Sequence, residues 1–185
     1  MSHRWWVIIA VLLFAGGLVW GLLAPASGGA AIFSAETKSL QDMASTINSL
    51  PQWGMFALVL TKNITALLFS FVMSPCLLIL PLVTLLLNGW LIGAVAPGVV
   101  SQHSVKYLLI GILPHGVFEL PALFIGEAAA LSFGISAMKA LFSKGERTQF
   151  HPMARPEIKY VIVSLLLFIP AAAIETFVTP LLLGK

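Results

Sequence analysis

Apolar residues in this chain gather into long unbroken runs instead of alternating with polar ones. The runs are Trp5–Ala24, Trp53–Met73, Pro75–Ala96, Val105 to about Phe142, and Tyr160–Leu183. A helix needs about 20 apolar residues, rising ~1.5 Å each, to cross the hydrocarbon core of a bilayer. The pattern therefore predicts an all-α, polytopic transmembrane helical bundle of five spans, placed at about 5–24, 53–73, 75–96, 105–138 and 160–183. All of 1–185 reads as one membrane domain. Pro25-Ala26-Ser27-Gly28-Gly29 stops the first run, and Ala24-Pro25-Ala26 has the form of a signal cleavage site. That run has the length of a full span, so it is expected to be retained. Ser74-Pro75 leaves almost no loop between the second and third spans, which predicts a tight antiparallel hairpin. The fourth run would be ~57 Å long as a single helix. Pro114 removes a backbone donor within it, so a helix broken at Pro114 is expected. Pro170 and Pro180 mark kinks in the last span.

Between the first two spans, Ser34–Leu50 carries Leu40, Met43, Ala44 and Ile47 at helical spacing. Ser34 and Glu36 suit a helix N-terminus and Pro51 its end. This predicts an amphipathic interfacial helix over 34–50. Its charge is not the basic face of an anionic-lipid binder, because Lys38 is offset by Glu36 and Asp42. The stretch 139–159 reads as a basic loop.

Composition closes off the soluble classes. The chain is 59% hydrophobic and 9% charged with a mean hydropathy of +1.00, whereas soluble domains carry about 25% charged residues. The lone Cys76 excludes an intrachain disulfide and a cysteine-only metal site; within Ser74-Pro75-Cys76-Leu77-Leu78 it reads as a small buried hydrophobe. Five spans with the N-terminus inside place Arg4, Lys139, Lys144, Arg147, Arg155 and Lys159 in the cytoplasm. Lys38, Lys106 and Lys185 then lie outside, as the positive-inside rule prefers. Trp5, Trp6, Trp20, Trp53, Tyr107 and Tyr160 fall near span ends, where amphipathic rings settle. The bilayer is thus the first partner. Topology alone explains the basic loop, and no aromatic interleaving marks it for nucleic acid.

Ionisable groups inside spans are costly, so each is a candidate for function. Here they are Lys62, His115, Glu119, Glu127 and Glu175. His115 and Glu119 are four residues apart and share a helix face, while Glu127 is turned roughly 80° from Glu119. From the helical rise, Lys62 and Glu175 lie in the outer half of the membrane or near its midplane, as do His115 and Glu119. A polar intramembrane cluster of Lys62, Asn63, Asn88, His115, Glu119 and Glu175 is expected, with Glu127 as a secondary position facing another helix or a second subunit.

Three readings of that cluster stand side by side. In the first it is a satisfied network: Lys62 pairs with Glu119 or Glu175, Asn63 and Asn88 bridge helices, and His115 caps the break at Pro114. The second is a site for a proton, an ion or a small polar substrate beside a helix break. The third is a divalent metal site of His115, Glu119 and Glu175 with hydrolytic chemistry; the His-Glu-x-x-His pattern of metalloproteases is absent. No other cofactor is indicated. His3, His103 and His151 sit in expected loops as solvated imidazoles, and no Ser-His-Asp set, phosphate loop or Rossmann fingerprint can be placed. The small-xxx-small pair Gly89 and Gly93, with Gly126 and Ala130, allows close helix packing and self-association into a homo-oligomer.

Leu87-Asn88-Gly89-Trp90-Leu91-Ile92-Gly93, Leu113-Pro114-His115-Gly116-Val117-Phe118-Glu119-Leu120-Pro121-Ala122 and Ala173-Ile174-Glu175-Thr176-Phe177, set on five spans, resemble the stage II sporulation protein M family of prokaryotic integral membrane proteins. The resemblance runs from about Trp53 to Pro180, and its most specific element is Pro-His-Gly-x-x-Glu. It carries the family pattern onto Asn63, Asn88, Gly89, Gly93, Pro114, His115, Gly116, Glu119 and Glu175. Lys62 departs from it, standing where a second asparagine is expected. The resemblance implies a multi-pass protein of the cytoplasmic (inner) membrane, acting as a scaffold or export-linked component that engages a protein partner there. An engulfment role is not carried over, since most relatives belong to organisms that do not sporulate.

Overall fold

The computed structural model describes residues 2–23, 51–142 and 147–184. Five long helices cross it: α1 (His3–Leu23), α2 (Gln52–Met73), α3 (Ile79–Gln102), α4 (Val105–Phe142) and α5 (Arg147–Ala173). A π-helical turn, Ile174–Val178, continues α5 into the short α6 (Thr179–Leu182). The helices are long and apolar enough to cross a membrane, the last counted over Arg155–Leu182. The expected amphipathic helix at 34–50 and the Ala24-Pro25-Ala26 segment lie outside the described residues.

Three expectations about local structure change. First, α4 is not broken at Pro114; it is one continuous helix of 38 residues through Pro114 and Pro121. Each proline removes one backbone hydrogen bond, whereas a break would strand several polar groups in a medium without water to satisfy them. Second, the α2–α3 turn occupies Ser74–Leu78, so α3 starts at Ile79, and Cys76 on that turn is exposed. Third, α5 begins at Arg147, so most of the stretch expected as a basic loop is helical.

Alternate helices run the same way, so α1, α3 and α5 are parallel, with α2 and α4 antiparallel to them. The α1–α3 pair is held by glycine on both sides. A Cβ on Gly17 would collide with the Leu86 carbonyl, and one on Gly21 with that of Trp90. From the other side, Gly89 abuts the Phe14 carbonyl and Gly93 that of Leu18. Two small-xxx-small faces therefore lie backbone to backbone, which lipid-embedded helices use to gain dispersion contacts where no hydrophobic drive exists between them. Gly134 does the same for the hairpin turn, since its Cβ would lie 2.7 Å from the Ser74 carbonyl oxygen.

Helix α4 is the axis of the bundle. Its stretch Gly126–Ser132 is buried all round, with Ala128, Ala129 and Ala130 at 0% exposure. Small side chains let neighbours close on it from every direction. Leu67, Val161 and Phe168 pack against Ala122 and Ala129 on one side, and Ala10 and Leu85 against Ala128 and Leu131 on the other. The outer surface inverts the soluble rule: Leu12, Leu23, Trp53, Val117 and Leu166 all point outward, Leu23 at 76% exposure. Such a belt is stable only where the surroundings are as apolar as the side chains.

Candidate functional site

The helical repeat of α4 and a π turn bring the polar residues together. Pro114 sits directly before His115, and the helical repeat carries His115 over Glu119, whose Oε2 lies 3.7 Å from the imidazole Nε2. Glu175 comes from the π turn, where an extra residue per turn redirects the side chain. Thr179 holds that turn, its backbone N–H and its hydroxyl both donating to the Ile174 carbonyl, the latter at 3.2 Å. As a result one ligand-type atom from each of His115, Glu119 and Glu175 lies within 4.8 Å of the others, and all three residues are half-buried.

Asn63 reaches the group from α2, its Nδ2 at 3.5 Å from Glu119 Oε1. Lys62 and Asn88 do not pair with the carboxylates. Lys62 is exposed and forms no ion pair among the described residues. Asn88 is also exposed and donates to the Thr84 carbonyl of its own helix at 2.8 Å. Both nevertheless line, with Asn63, Thr84, Glu119 and Glu127, a cavity of about 80 Å³ between α2, α3, α4 and α5. The expected convergence thus divides in two. His115, Glu119 and Glu175 gather closely, while Lys62, Asn63 and Asn88 form the wall beside them.

Glu127 faces a neighbouring helix. Its Oε2 accepts a 2.6 Å hydrogen bond from Ser70 of α2. The side chain is 1% exposed, and its Oε1 has no partner among the described residues. A bare carboxylate oxygen in such a place is costly, and the Glu127 residue also lines the same cavity.

A second polar cluster lies at the opposite end of the bundle and was not legible in the sequence. Glu157 of α5 is buried; its Oε1 accepts from Ser132 at 2.7 Å, and His3 Nδ1 lies 3.1 Å from its Oε2. The imidazole of His3 stacks on Tyr160 with ring centroids 3.4 Å apart. His3 is therefore no solvated loop residue: it opens α1 and ties it to α5, whose Glu157 is in turn held by Ser132 of α4. Glu157 had been counted within the basic loop. His103 does lie between helices, exposed and stacked on Tyr107 at 4.3 Å.

Five membrane-length apolar helices enclosing ionisable side chains define a multi-pass membrane protein of the all-α class. More particularly, the chain belongs to the stage II sporulation protein M family, whose sequence profile matches residues 10–180. It is similar to an uncharacterized protein of the archaeon Methanocaldococcus jannaschii, 23% identical over 175 residues, covering 94% of this chain and 93% of the relative. A second uncharacterized protein of that organism is 21% identical over 153 residues, covering 82% and 67%. No solved structure matches the chain.

Proposed function

We propose that this protein is a membrane scaffold or export-linked component of a prokaryotic cytoplasmic membrane, working by presenting a rigid bundle to a protein partner. In this reading the N-terminus is inside and the C-terminus outside. The observation that carries it is how the intramembrane polar groups are used. Ser70–Glu127, Ser132–Glu157 and His3–Glu157 each join two helices, and the α1–α3 glycine seam locks a fourth pair. Groups that fasten helices to one another serve a platform; a transporter needs them along a route that opens and closes. The cavity of about 80 Å³ has room for a few waters and falls well below the ~300 Å³ at which small-molecule sites begin.

Reconstitution tests the reading against its ion-coupled alternative. Protein in sealed vesicles with an internal pH dye is expected to dissipate an imposed proton or sodium gradient no faster than protein-free vesicles. A flux that requires Glu119 or Glu175 would overturn the scaffold reading. For the partner, a photo-crosslinking side chain at Leu109 or Leu113 on α4 is expected to trap one discrete protein in cells. Both positions border an open apolar groove of about 460 Å³. Adducts with lipid alone, at every exposed position tried, would count against partner recruitment.

A further inference from the structure

We infer that His115, Glu119 and Glu175 form a binding site for a divalent transition-metal cation of the zinc class. The inference goes beyond the scaffold reading and stands without it. Its first support is spacing. Groups that satisfy one another by hydrogen bonding close to about 2.7–3.2 Å, yet His115 Nε2 stops 3.7 Å from Glu119 Oε2. Asn63 Nδ2 likewise stops at 3.5 Å from the other oxygen. Ligands of a single ion, each held at about 2.0–2.2 Å, lie up to ~4.2 Å from one another. A set already within 4.8 Å needs only a small side-chain adjustment to close on one ion.

The second support is a lack of direct contact: Lys62 acts on Glu175 through space without closing on it. Lys62 lines the adjoining cavity but makes no ion pair with either carboxylate among the described residues. An ammonium acting as counter-ion would approach to about 2.7–2.9 Å. Glu127 lines the same cavity, and its sealed Oε1 has no partner among the described residues. The long approaches to Glu119 leave its carboxylate with acceptor capacity that a bound cation takes up. The third support is the π turn that brings Glu175 in. Such turns are uncommon and concentrate at functional sites. One imidazole and two carboxylates suit zinc and its first-row neighbours better than calcium or magnesium, which prefer all-oxygen shells. Three protein ligands leave a position for water.

The test uses the full-length protein without a histidine tag, stripped with chelator in detergent and titrated with Zn²⁺ and separately with Co²⁺. The expected result is about one ion per chain, with visible Co²⁺ bands of low-symmetry coordination. His115→Ala and Glu175→Gln are each expected to weaken binding by at least ~100-fold, the upper end for losing even a supporting group. Glu127→Gln is expected to keep the stoichiometry. Should His115→Ala fail to give a monodisperse bundle, the isosteric Glu119→Gln takes its place and the wild-type Co²⁺ spectrum stands as the independent readout. Absence of saturable binding to the wild type would overturn the inference. Undiminished binding in the variants would do so equally, by placing the ion elsewhere.

Discussion

Gly16 and Gly17 are neighbours on α1 and should respond oppositely to one added methyl group. At Gly16 a Cβ meets nothing within 4 Å. At Gly17 it would drive into the Leu86 carbonyl, with the carbonyl carbon at 2.9 Å and the Cα at 3.0 Å. The obstacle is backbone, so no side chain can swing aside and the two helices must part by about 1 Å to restore ordinary contact at ~3.5–4.0 Å. Overpacking of this kind costs about 1–3 kcal/mol, while alanine in a helix gains up to ~1 kcal/mol over glycine. With that gain in full, Gly17→Ala should lose about 0–2 kcal/mol net, and Gly16→Ala should be neutral or stabilising by as much as ~1. The two variants differ by about 1–3 kcal/mol, so at roughly 2–4 °C per kcal/mol for a chain of this size their melting temperatures should differ by ~2–12 °C. Thermal unfolding in one detergent, followed by size exclusion, measures this directly. Equal melting temperatures, or a less stable Gly16→Ala, would refute the backbone-to-backbone seam.

Three further outcomes are expected. Ser70→Ala removes the partner that Glu127 Oε2 has among the described residues and should lower stability by about 1–3 kcal/mol; a thermal melt unchanged from wild type would show that Glu127 finds another donor. Glu157→Ala cuts the ties to His3 and Ser132 together, so hydrogen exchange should speed up in the first turns of α1 while Phe14–Gly21 stays protected by α3. Uniform acceleration along α1 would contradict that division of labour. Cys76 lies exposed at the α2–α3 turn, on the same end of the bundle as His3. With the N-terminus inside, a membrane-impermeant maleimide should label it only in inverted or permeabilised vesicles; labelling of intact right-side-out vesicles would reverse the orientation.

Much of the fold could be read from hydropathy, because a run of about 20 apolar residues has little choice but to be a helix in lipid. The local details followed different physics. Pro114 predicts a break when its own helix is considered alone, but the cost of unsatisfied backbone in a membrane keeps α4 continuous. Gly89 and Gly93 announced a close approach without naming what approaches. The matching pair Gly17 and Gly21 has the same spacing, yet only the packed structure reveals that the two pairs face each other. His115 and Glu119 were legible together because four residues make a helical turn. Glu175 joins them through a π turn that no periodicity encodes. The His3–Glu157 tie spans a sequence separation of 154, and nothing in either neighbourhood points to the other.

The parallel glycine seam also has a consequence for biogenesis. α1 is made first, but its main partner face, Gly89 and Gly93 on α3, emerges only after α2 has been inserted in the opposite direction. Between Gly21 and Gly93 lie about 70 residues, roughly 4–14 s of synthesis at ~5–20 residues per second. Throughout that interval α1 stands in the bilayer with its notched face covered by lipid, which must leave when α3 arrives. The order of synthesis and the order of packing are therefore different. A nascent chain halted after α2 should hold α1 as a lone, freely rotating span, and the bundle acquires its shape only when the third crossing is complete.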